Sequence, residues 1–269
     1  MIEYLQAFFD RRTDLNNTID LVIITHPHID HNRALDEVVN TFTVKKYIDN
    51  GIRRVAPPGS TNQIWLQKNA KTLGIKYATY SYEKIIRGGN IQGLTDSIID
   101  PINCSDTDPE IFLLSGRFTR QRAAWSNDDY KHPNNHSVVV KVVFGASSFL
   151  FTGDLEEAGI EQILKTYDGA LNIDVVRIGH HGSHNATTTD YLEEISPTHA
   201  IISCGQWDFG QGSSALFTTF RFGHPRITIL NMLANNIEAE RSSSITIKAA
   251  HGSRNFVDFT IIKRIYATP

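Results

Sequence analysis

The apolar positions of this chain fall into short β-branched runs separated by stretches of helical periodicity. Leu5, Phe8 and Phe9 share one face of a helix over the first ten residues. Residues 19–24 form a compact apolar run that predicts a buried strand ending at Thr25. Ala34, Leu35, Val38 and Val39 return to helical spacing and predict a helix over residues 32–40. Further on, residues 137–144 read as a strand, with Gly145-Ala146 as the turn into a second strand over 148–151. Ile160, Ile163, Leu164 and Tyr167 then mark a helix, residues 174–178 a strand, Tyr191, Leu192 and Ile195 a helix, and residues 200–203 a strand. This alternation is that of an α/β fold. Residues 101–130 carry no strong pattern and are placed only as a loop near the site. No repeat, low-complexity tract or linker interrupts the chain, so one domain over residues 1–269 is expected.

Polar chemistry gathers where the predicted strands end. Of eleven histidines, three fall within six residues, at His26, His28 and His31, with Asp30 among them. Positions 26 and 28 follow a strand and project to the same side, so two imidazoles can meet one metal ion. Asp30 and His31 come where the chain turns and can face a second. Such a donor set suits zinc best, with manganese and iron as other occupants. Gly153-Asp154 ends the strand over 148–151, where Asp154 could cap the next helix, bind metal, or do both. Gly179-His-His-Gly-Ser183 ends the strand over 174–178.

Composition narrows the picture only a little. Of the 269 residues, 41% are hydrophobic and 20% charged, with a formal net charge of −3, an ordinary globular profile that argues against a strong binder of duplex DNA. No apolar run approaches the roughly 18 residues that span a bilayer. The first residues lack the basic and apolar regions of a secretory signal. Two distant cysteines, Cys104 and Cys204, read as free thiols in a reducing cytoplasm. The one basic stretch, residues 117–122 followed by Trp125 and Tyr130, is either a solvated loop or a substrate-contacting one.

His26-Pro-His28-Ile-Asp30-His31 resembles the H-x-H-x-D-H signature of metallo-β-lactamase-fold hydrolases. With the segments around Asn134-Asn-His136, Gly153-Asp154, Gly179-His-His-Gly-Ser183 and Phe222-Gly-His-Pro225, the chain is similar over most of its length to the ComEC competence-protein hydrolase domain and its stand-alone relatives. The resemblance implies an αββα sandwich carrying two divalent metal ions. His26 and His28, completed by His136, would bind the first; Asp30, His31 and His180 would bind the second; Asp154 would bridge both. His181 would stand behind the ligands or face the substrate, with the order of His180 and His181 open to reversal. Asp30, Asp154 and His181 would be the catalytic groups, and Ser183, Asn185 and His224 would contact substrate. A water shared by two ions about 3.5–4 Å apart becomes hydroxide near neutral pH.

The implied substrate is a phosphodiester, with single-stranded nucleic acid among the candidates and no membrane partner. A lactone, thioester or β-lactam hydrolase, or an inactive metal-binding fragment, are the competing expectations. The chain departs from the pattern in two places. The Gly-Asp and Asp-Gly-Gly segments that open relatives are missing, so the fold is expected to lack its N-terminal strands and to leave a sheet edge open. Asn32-Arg-Ala stands where relatives commonly have Gly-Gly.

Overall fold

A computed structural model describes residues 1–53, 59–204, 222–252 and 255–268. The first helix, α1 (Ile2–Arg11), leads to strand β1 (Thr18–Ile24), a short helix α2 (Ile29–Asn32), α3 (Leu35–Thr41) and β2 (Thr43–Asp49). Helix α4 (Ser60–Asn69) and strand β3 (Lys76–Thr79) complete a three-stranded parallel sheet of order β1-β2-β3. After α5 (Tyr82–Gly88) the chain enters a second, six-stranded sheet through β4 (Glu110–Ser115). Helix α6 (Asn127–Lys131), the hairpin β5 (Val139–Phe144) and β6 (Ser147–Phe151), α7 (Glu157–Thr166), β7 (Val175–Arg177), α8 (Thr189–Ile195) and β8 (His199–Ile202) follow. The C-terminal part holds α9 (Ile227–Asn236), a separate hairpin of β9 (Glu240–His251) and β10 (Asn255–Lys263), and β11 (Ile265–Ala267), which pairs with β8 at the edge of the second sheet.

Alternation along the strands sorts the core into layers. On β1, Val22 and Ile24 face α1, α3 and α4, where they meet Phe9, Leu35, Val38 and Leu66. Leu21 and Ile23 face the other way, toward Leu113, Val138 and Val140 of the second sheet. The far face of that sheet, with Val139, Leu150, Val176 and Ala200, is covered by Ile160 and Ile163 of α7, Leu192 of α8 and Leu230 of α9. Helices, sheet, sheet, helices: this is the expected αββα sandwich, and β1 forms one edge of its smaller sheet. The expected elements are present with shifted ends, the strand over 137–144 beginning at Val139 and the helix over 32–40 running from Leu35 to Thr41. The tract 101–130, read as a loop, instead contributes β4, paired antiparallel to β5 through Leu113 and Val140.

Two features bring the sheets' loops together. The Val138 N–H donates to the Thr25 carbonyl at 2.9 Å, tying the end of β1 to the entry of β5. Gly153 adopts φ +60°, and a Cβ there would stand 2.8 Å from Thr25 Cβ. Only glycine lets these two loops lie that close in that conformation.

Candidate metal centre

The histidines and carboxylates converge at the C-terminal ends of β1, β6 and β7, where the two sheets meet. In one group, the ligating atoms of His26, His28 and Asp154 all lie within 4.8 Å of one another. In the other, those of Asp30, His31, Asp154 and His181 do the same. Asp154 belongs to both. Its Oδ2 is 3.1 Å from His31 Nε2, 3.5 Å from His26 Nε2, 3.9 Å from His181 Nε2 and 4.0 Å from His180 Nε2.

Hydrogen bonds behind the imidazoles aim the inner nitrogens. His26 Nδ1 meets Thr25 Oγ1 at 3.1 Å, leaving Nε2 to face His28 Nδ1 at 3.0 Å. His181 Nδ1–H donates to the Ser203 carbonyl at 2.5 Å, so Nε2 points inward, 2.9 Å from Asp30 Oδ2. Outer partners of this kind set the tautomer and orientation of a ligating imidazole. The two carboxylates differ in exposure: the Asp154 side chain is 2% accessible and that of Asp30 42%.

Burial drives the electrostatics. It pushes His26 well below the usual imidazole range, helped by His31 and opposed by Asp154. Burial also lowers His28 and His180, against the pull of Asp154. It works to raise Asp154, but His26 and His31 outweigh it and hold this carboxyl well below the carboxylate range. Burial works to raise Asp30 as well, but the hydrogen bond from His181 and the charges of His31 and His181 together lower it. His181 moves up, because Asp30 and Asp154 overcome the cost of burying its charge. His26 and His28 are thus neutral beside ionised carboxylates, the protonation states in which these side chains bind metal.

These residues fit a metal pair on an observation independent of motif. Asp154 Oδ1 is buried and accepts no hydrogen bond. The nearest cation, Arg177 Nη1, is 3.7 Å away and donates instead to the Gly153 carbonyl at 2.7 Å. A bare carboxylate oxygen in a dry cluster of imidazoles is costly unless a cation meets it.

Three residues stand elsewhere than the resemblance implied, or settle into an alternative it left open. His136 joins neither group, because both ring nitrogens are committed elsewhere: Nδ1 accepts the Phe118 N–H at 3.0 Å and Nε2–H donates to the Tyr130 carbonyl at 2.6 Å. In the second candidate group His181 takes the place first given to His180, the reversal left open above. Both adopt left-handed backbone, φ +56° and +47°, and this turn carries His180 aside until its Nδ1 lies 3.7 Å from Glu156 Oε1. Ser183 does not present its hydroxyl to the site; it donates to Asn185 Oδ1 at 2.7 Å, and the pair shapes the loop. His224 does reach the neighbourhood, its ring 5.4 Å from that of His180, and burial together with His180 and His181 depresses it to about 3.

Sequence reasoning passed over Glu156. This carboxylate accepts from Asn134 Nδ2 at 2.9 Å and lies 3.4 Å from His132 Nδ1, tying the 132–136 turn to His180. Its place two residues after Asp154 was the available signal.

Parts of this chain are similar to known proteins. Competence protein ComA of Neisseria gonorrhoeae is 32% identical over 107 residues, covering 36% of this chain and 16% of its own. ComE operon protein 3 of Bacillus subtilis (strain 168) is 31% identical over 100 residues, covering 37% and 11%. Recombination protein 2 of Haemophilus influenzae is 45% identical over 75 residues, covering 28% and 9%. The matches therefore span 16% or less of these relatives' own length. A family profile described as the metallo-beta-lactamase superfamily matches residues 6–206, a span that contains every member of both ligand groups. The chain belongs to the metallo-beta-lactamase superfamily.

Proposed function

We propose that this chain is a two-metal hydrolase of phosphodiesters, of nuclease or phosphodiesterase type. The observation that carries the reading is the sharing of Asp154 by two donor groups, one oxygen lying within 4.0 Å of four imidazoles. His26, His28 and Asp154 would hold one ion; Asp30, His31, His181 and Asp154 would hold the other. Zinc suits this donor set first, and manganese or iron also fit. Bound there, a metal pair supplies an acidified water as nucleophile and positive charge for the developing oxyanions.

The chain's own residues divide the remaining work. Asp154, shut away from solvent, fixes the spacing of the two donor groups. Asp30, 2.9 Å from His181, is the more exposed of the two carboxylates and stands where an entering substrate meets the cluster. Thr25 and the Ser203 carbonyl keep His26 and His181 from rotating. His180, backed by Glu156 and flanked by His224, lines the same side and can donate to a substrate oxygen. Asn185 and His224 stay as candidate substrate contacts. Relatives named for competence and recombination favour nucleic acid as the source of the diester. We place the protein in the cytoplasm because Cys104 and Cys204 are free; among the described residues no helix is long and apolar enough to cross a membrane.

The test assays zinc- and manganese-loaded protein on bis-p-nitrophenyl phosphate, a single-stranded oligonucleotide and a lactone, with and without chelator. Chelator-sensitive cleavage of both phosphodiesters is expected. Lactone hydrolysis with neither phosphodiester cleaved would overturn the proposal.

A further inference from the structure

Beside the metal cluster, and sharing His28 with it, opens a cavity of about 960 Å³. That is near the upper end for a small-molecule site and more than one diester group needs. Among the described residues its wall carries Arg53, Arg117, Lys131 and His132 and no carboxylate. Arg53, Arg117 and Lys131 are exposed, and among the described residues none has a carboxylate within ion-pairing distance. The contrast with Arg122 is direct, since that guanidinium is spent on Glu83 at 2.8 Å and covers the rings of Tyr82 and Phe118. In a chain of net charge −3, three cations on an acid-free wall reverse the local sign.

Buried groups hold these cations in place from behind. On one side Asp49, fully buried, accepts the Gly51 N–H at 2.7 Å and the Tyr77 hydroxyl at 2.9 Å, fixing the turn that leads to Arg53. The Gly51 carbonyl in turn accepts from Arg117 Nη1 at 3.3 Å. On the other side stands His136. It links the amide of Phe118, next to Arg117, with the carbonyl of Tyr130, next to Lys131. One imidazole therefore spaces two of the three charges. Tyr77 and Tyr130, both part-buried, line the same wall.

We infer that Arg53, Arg117 and Lys131 form a track for the flanking phosphates of a single-stranded nucleic acid, which delivers the scissile diester past His28, with His136 as the positioning residue. The inference rests on the phosphodiesterase reading and adds to it the groups that select a long substrate over a short one. Cations spaced along a groove that aromatic rings also line are what a single strand requires.

The experiment measures binding and turnover separately. Binding of a fluorescein-labelled oligothymidylate of about 12 nucleotides is followed by anisotropy over a salt series, for wild type, Arg53→Gln/Arg117→Gln/Lys131→Gln, the three corresponding single variants, and the single-charge control Lys165→Gln away from the cavity. Each single-strand phosphate neutralised contributes about −0.7 to the slope of log K against log salt, so the triple variant should flatten the slope by about 2. Lys165→Gln should keep the wild-type slope. With metal loaded, kcat/KM for the oligonucleotide should fall at least tenfold more in the triple variant than kcat/KM for bis-p-nitrophenyl phosphate. His136→Gln should reproduce part of that selective loss.

An unchanged slope in the triple variant, or equal losses on both substrates, overturns the track while leaving the hydrolase standing. A wild type that binds with the expected slope yet cleaves nothing supports the track and removes the hydrolase. A polyglutamate peptide that competes as well as unlabelled oligothymidylate would make the cavity a site for acidic peptides and overturn the inference.

Discussion

Replacing His136 by leucine separates a brace from a ligand. The side chain is 5% exposed and makes two hydrogen bonds, accepting from Phe118 N–H and donating to Tyr130 O. Leucine fills the space but leaves both backbone groups without that partner. A buried polar group left unsatisfied costs about 1–3 kcal/mol. Phe118 is fully buried, so its amide falls at the upper end; the Tyr130 carbonyl belongs to a part-buried residue and falls at the lower end. The sum is about 4 kcal/mol, which for a chain of this size lowers Tm by roughly 8–16 °C. Metal content, measured by mass spectrometry after dialysis against zinc, should stay at the wild-type value. His136→Gln, whose amide can satisfy one of the two partners at a time, should recover about half of the loss in Tm. A variant that melts like wild type but has lost one metal ion per chain would refute this reasoning and restore His136 as a ligand.

Three further outcomes follow from the same geometry. Asp154→Asn keeps the volume but removes the shared charge, and should lower bound metal to about one ion per chain or less; wild-type stoichiometry would argue against sharing. His181→Ala should lose metal and His180→Ala should retain it, because only the former nitrogen lies within both donor spacing and reach of Asp30; equal losses would contradict the assignment. Asp96 tests acid stability away from the site. Burial alone would raise its pKa, but the Tyr80 hydroxyl and the N–H groups of Ile98 and Ile99 lower it. A folded-state pKa below the unfolded one gives stability that is present above about pH 4 and lost as pH falls through the folded value. Wild type should therefore exceed Asp96→Asn in urea midpoint at pH 6, with the gap closing toward pH 2; a gap that persists there would rule out the carboxylate as its source.

The ligand loop was legible because it is local. His26, His28, Asp30 and His31 follow a run whose β-branching marks a strand, and no distant information is needed to see that they share a turn. Asp154 was visible for the same reason, at the end of a strand with a glycine before it. What depends on distant neighbours was not visible. His136 has the residue type and position of a ligand, yet the amide of Phe118 and the carbonyl of Tyr130, brought in from other segments, take both of its nitrogens. The choice between His180 and His181 turns on two left-handed backbone conformations that no side-chain pattern announces. β4 escaped notice because its apolar core, residues 111–114, is short and set within a polar tract, and only pairing with β5 makes it a strand. The cationic wall was half legible: Arg117 and Tyr130 stood out as a basic, aromatic stretch, whereas Arg53 reaches that wall only through the fold.

The ligand groups draw on both halves of the sandwich. His26, His28, Asp30 and His31 hang from the smaller sheet, while Asp154 and His181 hang from the larger. A cation held by His31 and Asp154 together would therefore act as a rivet through the seam, and its binding energy would count toward cohesion of the whole molecule. Starved of metal, the chain would keep the apolar layer and the Val138–Thr25 bond between its sheets but lose this added hold at their loop end.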